Sequence, residues 1–377
     1  TCYDYNFNRQ LIQITRPDGK TVGFAYDTMG RPVTVRTPEG EIGYVYDATS
    51  GNLTDIIAVD GGALTYTYAG SLLTGGRWQG QINGSVEYGY DSNFRVKSLT
   101  INGTKLVDYD YDRDGLLVRA GNLALTRDSA NGLLVSTQLS NITDEYTYNS
   151  FGEMTDYVAR YQGTELYRVH QEMDGLGRIT RNVETVLGET HTFEYGYDQA
   201  GRLVDVCKDG VLISHYDYDP NGNRLAHVNP SGTSYGTYDD QDRMLSYGDA
   251  VYEYTANGEL LRKTDTQGTT QYTYDVLGNL TSVVLPDGTR IDYIVDGQNR
   301  RIGKKVNGVL VQGFLYQDWL EPVAELDGAA NVVVRFVYAS RSHVPDYMVK
   351  NGVVYRIISD HLGSVRLVVD VATGQVV

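Results

Sequence analysis

Cysteine is nearly missing from this chain of 377 residues, with Cys2 and Cys207 the only two. One pair with a member at the second position builds no disulfide framework, so packing and hydrogen bonds must hold the fold. Cys207 reads as a structural thiol. Proline is scarce at 8 residues, tryptophan at 2 and histidine at 6. There is no basic run, and Asp plus Glu outnumber Lys plus Arg by 48 to 32, a net charge of −16. Binding to nucleic acid or an anionic membrane surface needs a Lys/Arg stripe, so neither is expected as a partner. No apolar stretch approaches the roughly 20 residues of a membrane-spanning helix. The chain has no initiator Met, starts inside Tyr3-Asp4-Tyr5 and ends without a stop feature. It is therefore expected to be a piece of something longer.

What the chain does have is tyrosine: 32 Tyr against 7 Phe, together with 42 Gly. Tyrosine packs as a flat surface, carries a hydroxyl and favours strands. The tyrosines recur as Tyr-x-Tyr pairs, at Tyr44/Tyr46, Tyr66/Tyr68, Tyr88/Tyr90 and Tyr109/Tyr111. Later pairs include Tyr146/Tyr148, Tyr195/Tyr197, Tyr216/Tyr218, Tyr252/Tyr254 and Tyr272/Tyr274. From Tyr26 to Tyr111 the second members step by 20 to 22 residues, the signature of a repeat architecture. The stretch 112–174 is less regular, and Arg127-Asp128 with Asn131-Gly132 reads as a decayed unit.

A turn follows each pair. Tyr26-Asp27-Thr-Met-Gly30-Arg31 and Tyr197-Asp198-Gln-Ala-Gly201-Arg202 are the plainest. Tyr218-Asp219-Pro-Asn-Gly222 and Tyr274-Asp275-Val-Leu-Gly278 place Asn after the glycine. Asp at the first and Gly at the fourth position suit a type I turn followed by a left-handed residue. A second signal lies about ten residues on, as Asp18-Gly19, Glu39-Gly40, Asn83-Gly84, Asn102-Gly103 or Asp209-Gly210. Asp287-Gly288, Asn307-Gly308, Asp327-Gly328 and Asn351-Gly352 continue it. Such pairs are hairpin signals because both residues accept positive φ. Each unit is thus strand, turn, strand, turn, with no helical period, and the expected fold is all-β with one continuous sheet. Alternation sets both tyrosines of a pair on one face, where stacked units would align rings into ladders. The Arg after the glycine is expected to reach the previous unit's Asp or to lie on a tyrosine ring.

These units resemble the YD-repeat, or Rhs-repeat, family, whose unit is Tyr-Asp followed two residues later by Gly-Arg and an apolar residue. The likeness covers roughly residues 3 to 300. Asp360-His361-Leu362-Gly363-Ser364-Val365-Arg366 is similar to the segment opening the Rhs-associated core. The resemblance implies residues 1–310 as the repeat array, with 311–377 the last repeats and a truncated start of the core. The family includes bacterial Rhs toxins, the C component of Tc toxin complexes, wall-associated proteins and teneurins. It implies a sheet that spirals into a hollow shell, here a partial one. In bacterial members it also implies an enclosed C-terminal toxin or effector as partner, beside secretion-system or surface partners, and a secreted or cell-surface location. The cleavage region that follows the core in that family has no counterpart in these residues.

No residue is expected to be catalytic, and no cofactor or metal site is expected. Asp110-x-Asp112-x-Asp114-Gly115 and Asp217-x-Asp219-x-Asn221-Gly222 match half an EF-hand loop. The bidentate Glu due at the twelfth place is Gly121 or Val228. No histidine pairs at the spacing of a zinc helix, and His361 reads as packing beside Asp360. A residue repeated a dozen times is architecture rather than an active site. The leading expectation is a scaffold that encloses an effector, the alternative a surface adhesion or carbohydrate-binding array.

Overall fold

The turn residues decide the local structure. A computed structural model describes residues 1–377. In the turn from Asp27 to Arg31, the Gly30 amide donates to the Asp27 carbonyl at 3.0 Å. The Asp27 amide donates to the Arg31 carbonyl at 2.9 Å. The Asp27 side chain completes the loop, its Oδ1 accepting from the amides of Met29 and Arg31, both at 2.9 Å. Gly30 lies at φ +82°, where a Cβ is strained. Gly201, Gly222 and Gly278 take the same place at +82°, +94° and +89°. Between Ala25 and Tyr26 the register slips by one residue, leaving Val33 unopposed in a bulge that increases the local twist.

The second turns are more varied than their sequences suggest. Both residues take positive φ at Asn102-Gly103, Asp209-Gly210, Asn307-Gly308 and Asn351-Gly352. At Asp18-Gly19 and Asp287-Gly288 only the glycine does. Those loops are longer, closed by the Arg16 amide on the Lys20 carbonyl and the Leu285 amide on the Thr289 carbonyl. Glu39-Gly40 puts positive φ on the glycine alone, and Asn83-Gly84 on neither residue. Asp327-Gly328 is no two-residue turn either: Asp327 opens a longer loop whose left-handed place is Ala330, at φ +64°.

The result is 36 antiparallel strands of four to ten residues in one sheet, with no helix. Sequence neighbours pair, as Thr21–Tyr26 does with Pro32–Thr37 and Pro32–Thr37 with Gly40–Tyr46. The decayed unit is real: the Gly132 amide closes on the Asp128 carbonyl at 2.8 Å, with Gly132 at φ +76°.

The chain forms two compact units, each built from two separated stretches. The first joins Thr1–Leu106 with Ala250–Arg335. Its later stretch presents its Asp-led turns to strands of the earlier one. Val276, from the Asp275 turn, completes a core with Val22, Val35, Ile42 and Ile56. Around it Asn257 donates to Asp18 at 2.8 Å, Trp78 Nε1 to Asp296 at 3.2 Å, and Arg16 pairs with Glu259. The second unit joins Val107–Asp249 with Phe336–Val377. There Tyr161 donates to the Ala372 carbonyl at 2.7 Å and Tyr347 to the Ala120 carbonyl at 3.2 Å. Tyr157, Tyr167, Leu139, Ile142, Ile358 and Val369 are fully or almost fully buried.

Candidate functional site

Two arrangements gather the chemically distinctive side chains. The first repeats at the Asp-led turns. Arg202 Nε donates to Asp198 Oδ2 of its own turn at 2.7 Å, and Nη1 donates to the Asp219 carbonyl of the next turn at 2.8 Å. Its guanidinium lies 4.8 Å from the Tyr218 ring centroid. Arg31 does the same with Asp27, Tyr46 and the Gly51 carbonyl, and Arg178 with Asp174 and Tyr197. The arginine therefore grips its own turn's Asp, not that of the previous unit, and reaches forward to the next. It is four residues from its own Asp on a tight loop, whereas the carboxylate behind is already saturated by its own turn amides. The Asn residues after Gly222 and Gly278 hold Asp219 and Asp275 neutrally, each at 2.8 Å.

In many units the second tyrosine of the pair locks the bulge of the unit before it. Tyr26 donates to the Leu11 carbonyl at 2.7 Å, Tyr46 to Pro32 at 3.0 Å and Tyr68 to Leu53 at 2.8 Å. Tyr197 and Tyr218 do so to Ile179 and Leu203, both at 2.7 Å. Each acceptor from Pro32 on lies two residues past a turn glycine, so the hydroxyl is needed as well as the ring. Ring-on-ring ladders are not the rule that the alternation suggested. Ring pairs form at Tyr146–Tyr157 (4.9 Å) and Tyr157–Tyr167 (5.8 Å), and at the clasps above an arginine takes the place of the neighbouring ring.

The carboxyls of Asp27, Asp174, Asp198 and Asp219 sit below their ordinary range. For Asp27 the Arg31 amide is the main cause, and with the guanidinium and the Met29 amide it outweighs the opposing desolvation. The EF-hand-like stretches are turns of the same kind: Asp112 caps the amides of Asp114 and Leu116, and Asp110 pairs with Arg119. Asp217 lies 3.4 Å from His215, whose pKa is raised chiefly by its bond to Asp205.

The second arrangement lies in the second unit and was not singled out from the sequence. Arg356 is 3% exposed and pairs with Asp144 (3.1 Å) and Asp346 (3.2 Å), which are 0% and 3% exposed. Asp144 also accepts from Tyr157 and Thr137, each at 2.5 Å. Asp346 accepts from the amides of Ala339 and Ser340, both at 2.8 Å. Burial works against the Arg356 charge, yet the two carboxylates outweigh it and hold the guanidinium firmly protonated. Burial, then Asp144, pushes the Tyr157 hydroxyl well above the usual phenol range. One signal was available: Arg356 interrupts the apolar run Val353-Val-Tyr-Arg356-Ile-Ile358, and a charge at an inward strand position calls for a partner.

The Asp360–Arg366 segment sits beside it. Asp360 to Ser364 is itself an Asp-led turn: the Gly363 amide donates to the Asp360 carbonyl at 3.1 Å, and Gly363 lies at φ +87°. Arg366 bridges Glu184 (3.0 Å) and Asp360 (3.3 Å), and Glu184 accepts from Tyr167 at 2.9 Å. His361 Nδ1 lies 3.0 Å from Gln171 Nε2. Partial desolvation, reinforced by Arg341 and Arg366, outweighs Asp360 and lowers the His361 pKa. The motif thus ties the Phe336–Val377 stretch to strands of its own unit.

Repeated clasped hairpins in one antiparallel sheet, with contacts 190 to 260 residues apart in sequence closing each unit, define a β-repeat wall. The chain belongs to the teneurin YD-shell family, whose profile matches residues 1–377. Mouse teneurin-3 is 27% identical over 96% of this chain and 14% of its own length. Human teneurin-4 is 24% identical over 92% of this chain and 13% of its own. Among solved structures, TcdB2–TccC3–Cdc42 superposes over the whole chain with a TM-score of 0.54 at 14% identity, across 26% of that chain. The Photorhabdus luminescens Tc holotoxin pore gives 0.53 at 13% identity over 25% of that chain. The chain therefore spans a small part of each relative, and the structural likeness establishes the fold.

Proposed function

We propose that the chain is a wall segment of a secreted or surface-exposed shell that encloses a polypeptide and does no chemistry on it. In this reading residues 1–310 form the repeat array, and 311–377 its last repeats and the start of the core. The observation that carries it is the clasp: Tyr, Asp, Gly and Arg are spent at turn after turn on holding neighbouring hairpins together. The repeat motif residues from Tyr26 to Gly278, and Asp360, His361, Gly363 and Arg366, then have structural roles. The cargo proposed is a C-terminal effector of the longer protein, in a bacterial toxin-type container. Support comes from a structural neighbour described as TcdB2–TccC3 without its hypervariable C-terminal region. The excess of 16 negative charges suits a basic cargo. Limited proteolysis of the longer protein tests this: the C-terminal segment should survive as long as the repeats do. Rapid loss of that segment with the repeats intact would place it outside and overturn the reading.

One observation favours a second reading, a surface adhesion array. Aromatic side chains stand exposed at several turns, Phe94 at 75%, Phe151 at 87% and Trp319 at 63%. A glycan or cell-binding assay that loses signal on substituting Phe94, Phe151 and Trp319 by Ser, with proteolysis unchanged, would favour it over the container.

A further inference from the structure

The first unit contains a cavity of about 290 Å³ where the Asp275 and Asp296 turns face the hairpin ends near Thr37 and Asp60. Its floor is apolar, formed by Ile42, Ala58, Val276 and Ile294. These residues are almost wholly buried, so the floor belongs to the packed core. The rim is charged and unbalanced. It carries four carboxylates, on Glu39, Asp60, Asp275 and Asp292, against the single ammonium of Lys305, while Asp296 is buried below with Arg300 and Trp78. Arg290 pairs with Asp292 and Arg300 with Asp296. Counting Arg290 with Lys305 and leaving out the buried Asp296–Arg300 pair, four anions face two cations. Glu39 is exposed and has no ion-pair partner. A pocket with an apolar base and a few polar groups at its mouth is the general form of a ligand site.

We infer that this cavity is an anchor for an aliphatic side chain carried next to a lysine or arginine in a polypeptide. This rests on the container reading and names where the cargo chain is held. The volume has ample room for a branched aliphatic group, whose burial supplies the main attraction. The neighbouring cation meets Glu39 and Asp60 at the mouth, which adds selectivity more than affinity.

The test uses the 377-residue protein and three probes in saturation-transfer NMR titrations: N-acetyl-leucyl-lysine amide, N-acetyl-leucyl-glutamate amide and N-acetyl-glycyl-lysine amide. The leucyl-lysine probe should bind in the millimolar range. The other two should bind at least about tenfold more weakly, equivalent to about 1.4 kcal/mol. Val59→Trp, which fills the cavity from its partly exposed side, should abolish the signal. Glu39→Lys, an exposed change away from the core, should weaken the lysine probe and spare the glutamate probe. Equal binding of all three probes, no saturation transfer, or unchanged binding in both folded variants would overturn the inference. Failure here leaves the container untouched, because protection of the C-terminal segment is read by proteolysis on the longer protein.

Discussion

Arg202 reaches out of its own turn to donate to the backbone carbonyl of Asp219 at 2.8 Å, joining two repeats through one side chain. A planar guanidinium can serve Asp198 and that carbonyl at once; an ammonium cannot span both in the same geometry. Arg202→Lys should therefore lower the melting temperature more than Arg36→Lys, which alters only the exposed pair with Glu41. Equal effects in thermal unfolding would reduce the clasp to an ordinary surface ion pair.

The tyrosine hydroxyl should matter at the second position of a pair and not at every tyrosine. Tyr148 donates to the Leu134 carbonyl at 2.8 Å, and Tyr148→Phe should cost about 1 kcal/mol in urea unfolding. Tyr216 stacks on His227 at 4.7 Å without a hydroxyl bond, and Tyr216→Phe should cost well under half of that.

Phe94 occupies the left-handed place of its turn at φ +61°, where most other repeats carry glycine. Phe94→Gly should stabilise the protein by up to about 1 kcal/mol, since strain is removed from a side chain that packs on little. The reverse change tests the same point: Gly222 has open space around it and φ +94°, so Gly222→Ala should cost roughly 1 kcal/mol through backbone strain alone. Calorimetry showing a stabilised Gly222→Ala variant would contradict the turn assignment.

Removing one member of the buried ion cluster strands the others. Arg356→Met leaves Asp144 and Asp346 buried without their cation and should cost about 3–5 kcal/mol. The double change Asp144→Asn with Arg356→Met should recover part of that loss, a coupling that a double-mutant cycle measures directly.

The pH dependence should have two limbs. Asp27, Asp91, Asp174, Asp198 and Asp239 all have folded pKa values below the ordinary 3.8. Their contribution is present above the unfolded value and is lost as pH falls through the folded one, so stability should drop below about pH 4. The half-buried and buried tyrosines shift the other way: desolvation raises Tyr66, Tyr88, Tyr146 and Tyr167, and lifts Tyr347 to about 12. Their contribution is present below the ordinary 10 and is lost as pH rises through the folded values. Spectrophotometric titration should show these tyrosines ionising only with unfolding.

Most of the local structure was legible. Asp27, Gly30 and their counterparts act within five residues, where sequence and backbone geometry are tightly coupled, so strands, turns and left-handed glycines followed from spacing alone. Where the second turns departed, as at Asp327-Gly328, the dipeptide falls inside a longer loop whose left-handed place is Ala330, and closure is set by the flanking strand register.

The sequence by itself determined an all-β repeat, its period, its Asp-led turns and its lack of helix, because each depends on neighbours along the chain. Only the tertiary structure decided that Arg202 points forward, that Val276 enters a core with Val22, and that Arg356 sits between Asp144 and Asp346. Those contacts join residues 10 to more than 200 positions apart, and no local preference selects among the many partners available at the longer separations. The longest of them, Val276 with Val22 and Arg356 with Asp144, are chosen when the two stretches of each unit pack, by the need to bury Val276 and to leave no buried charge unpaired.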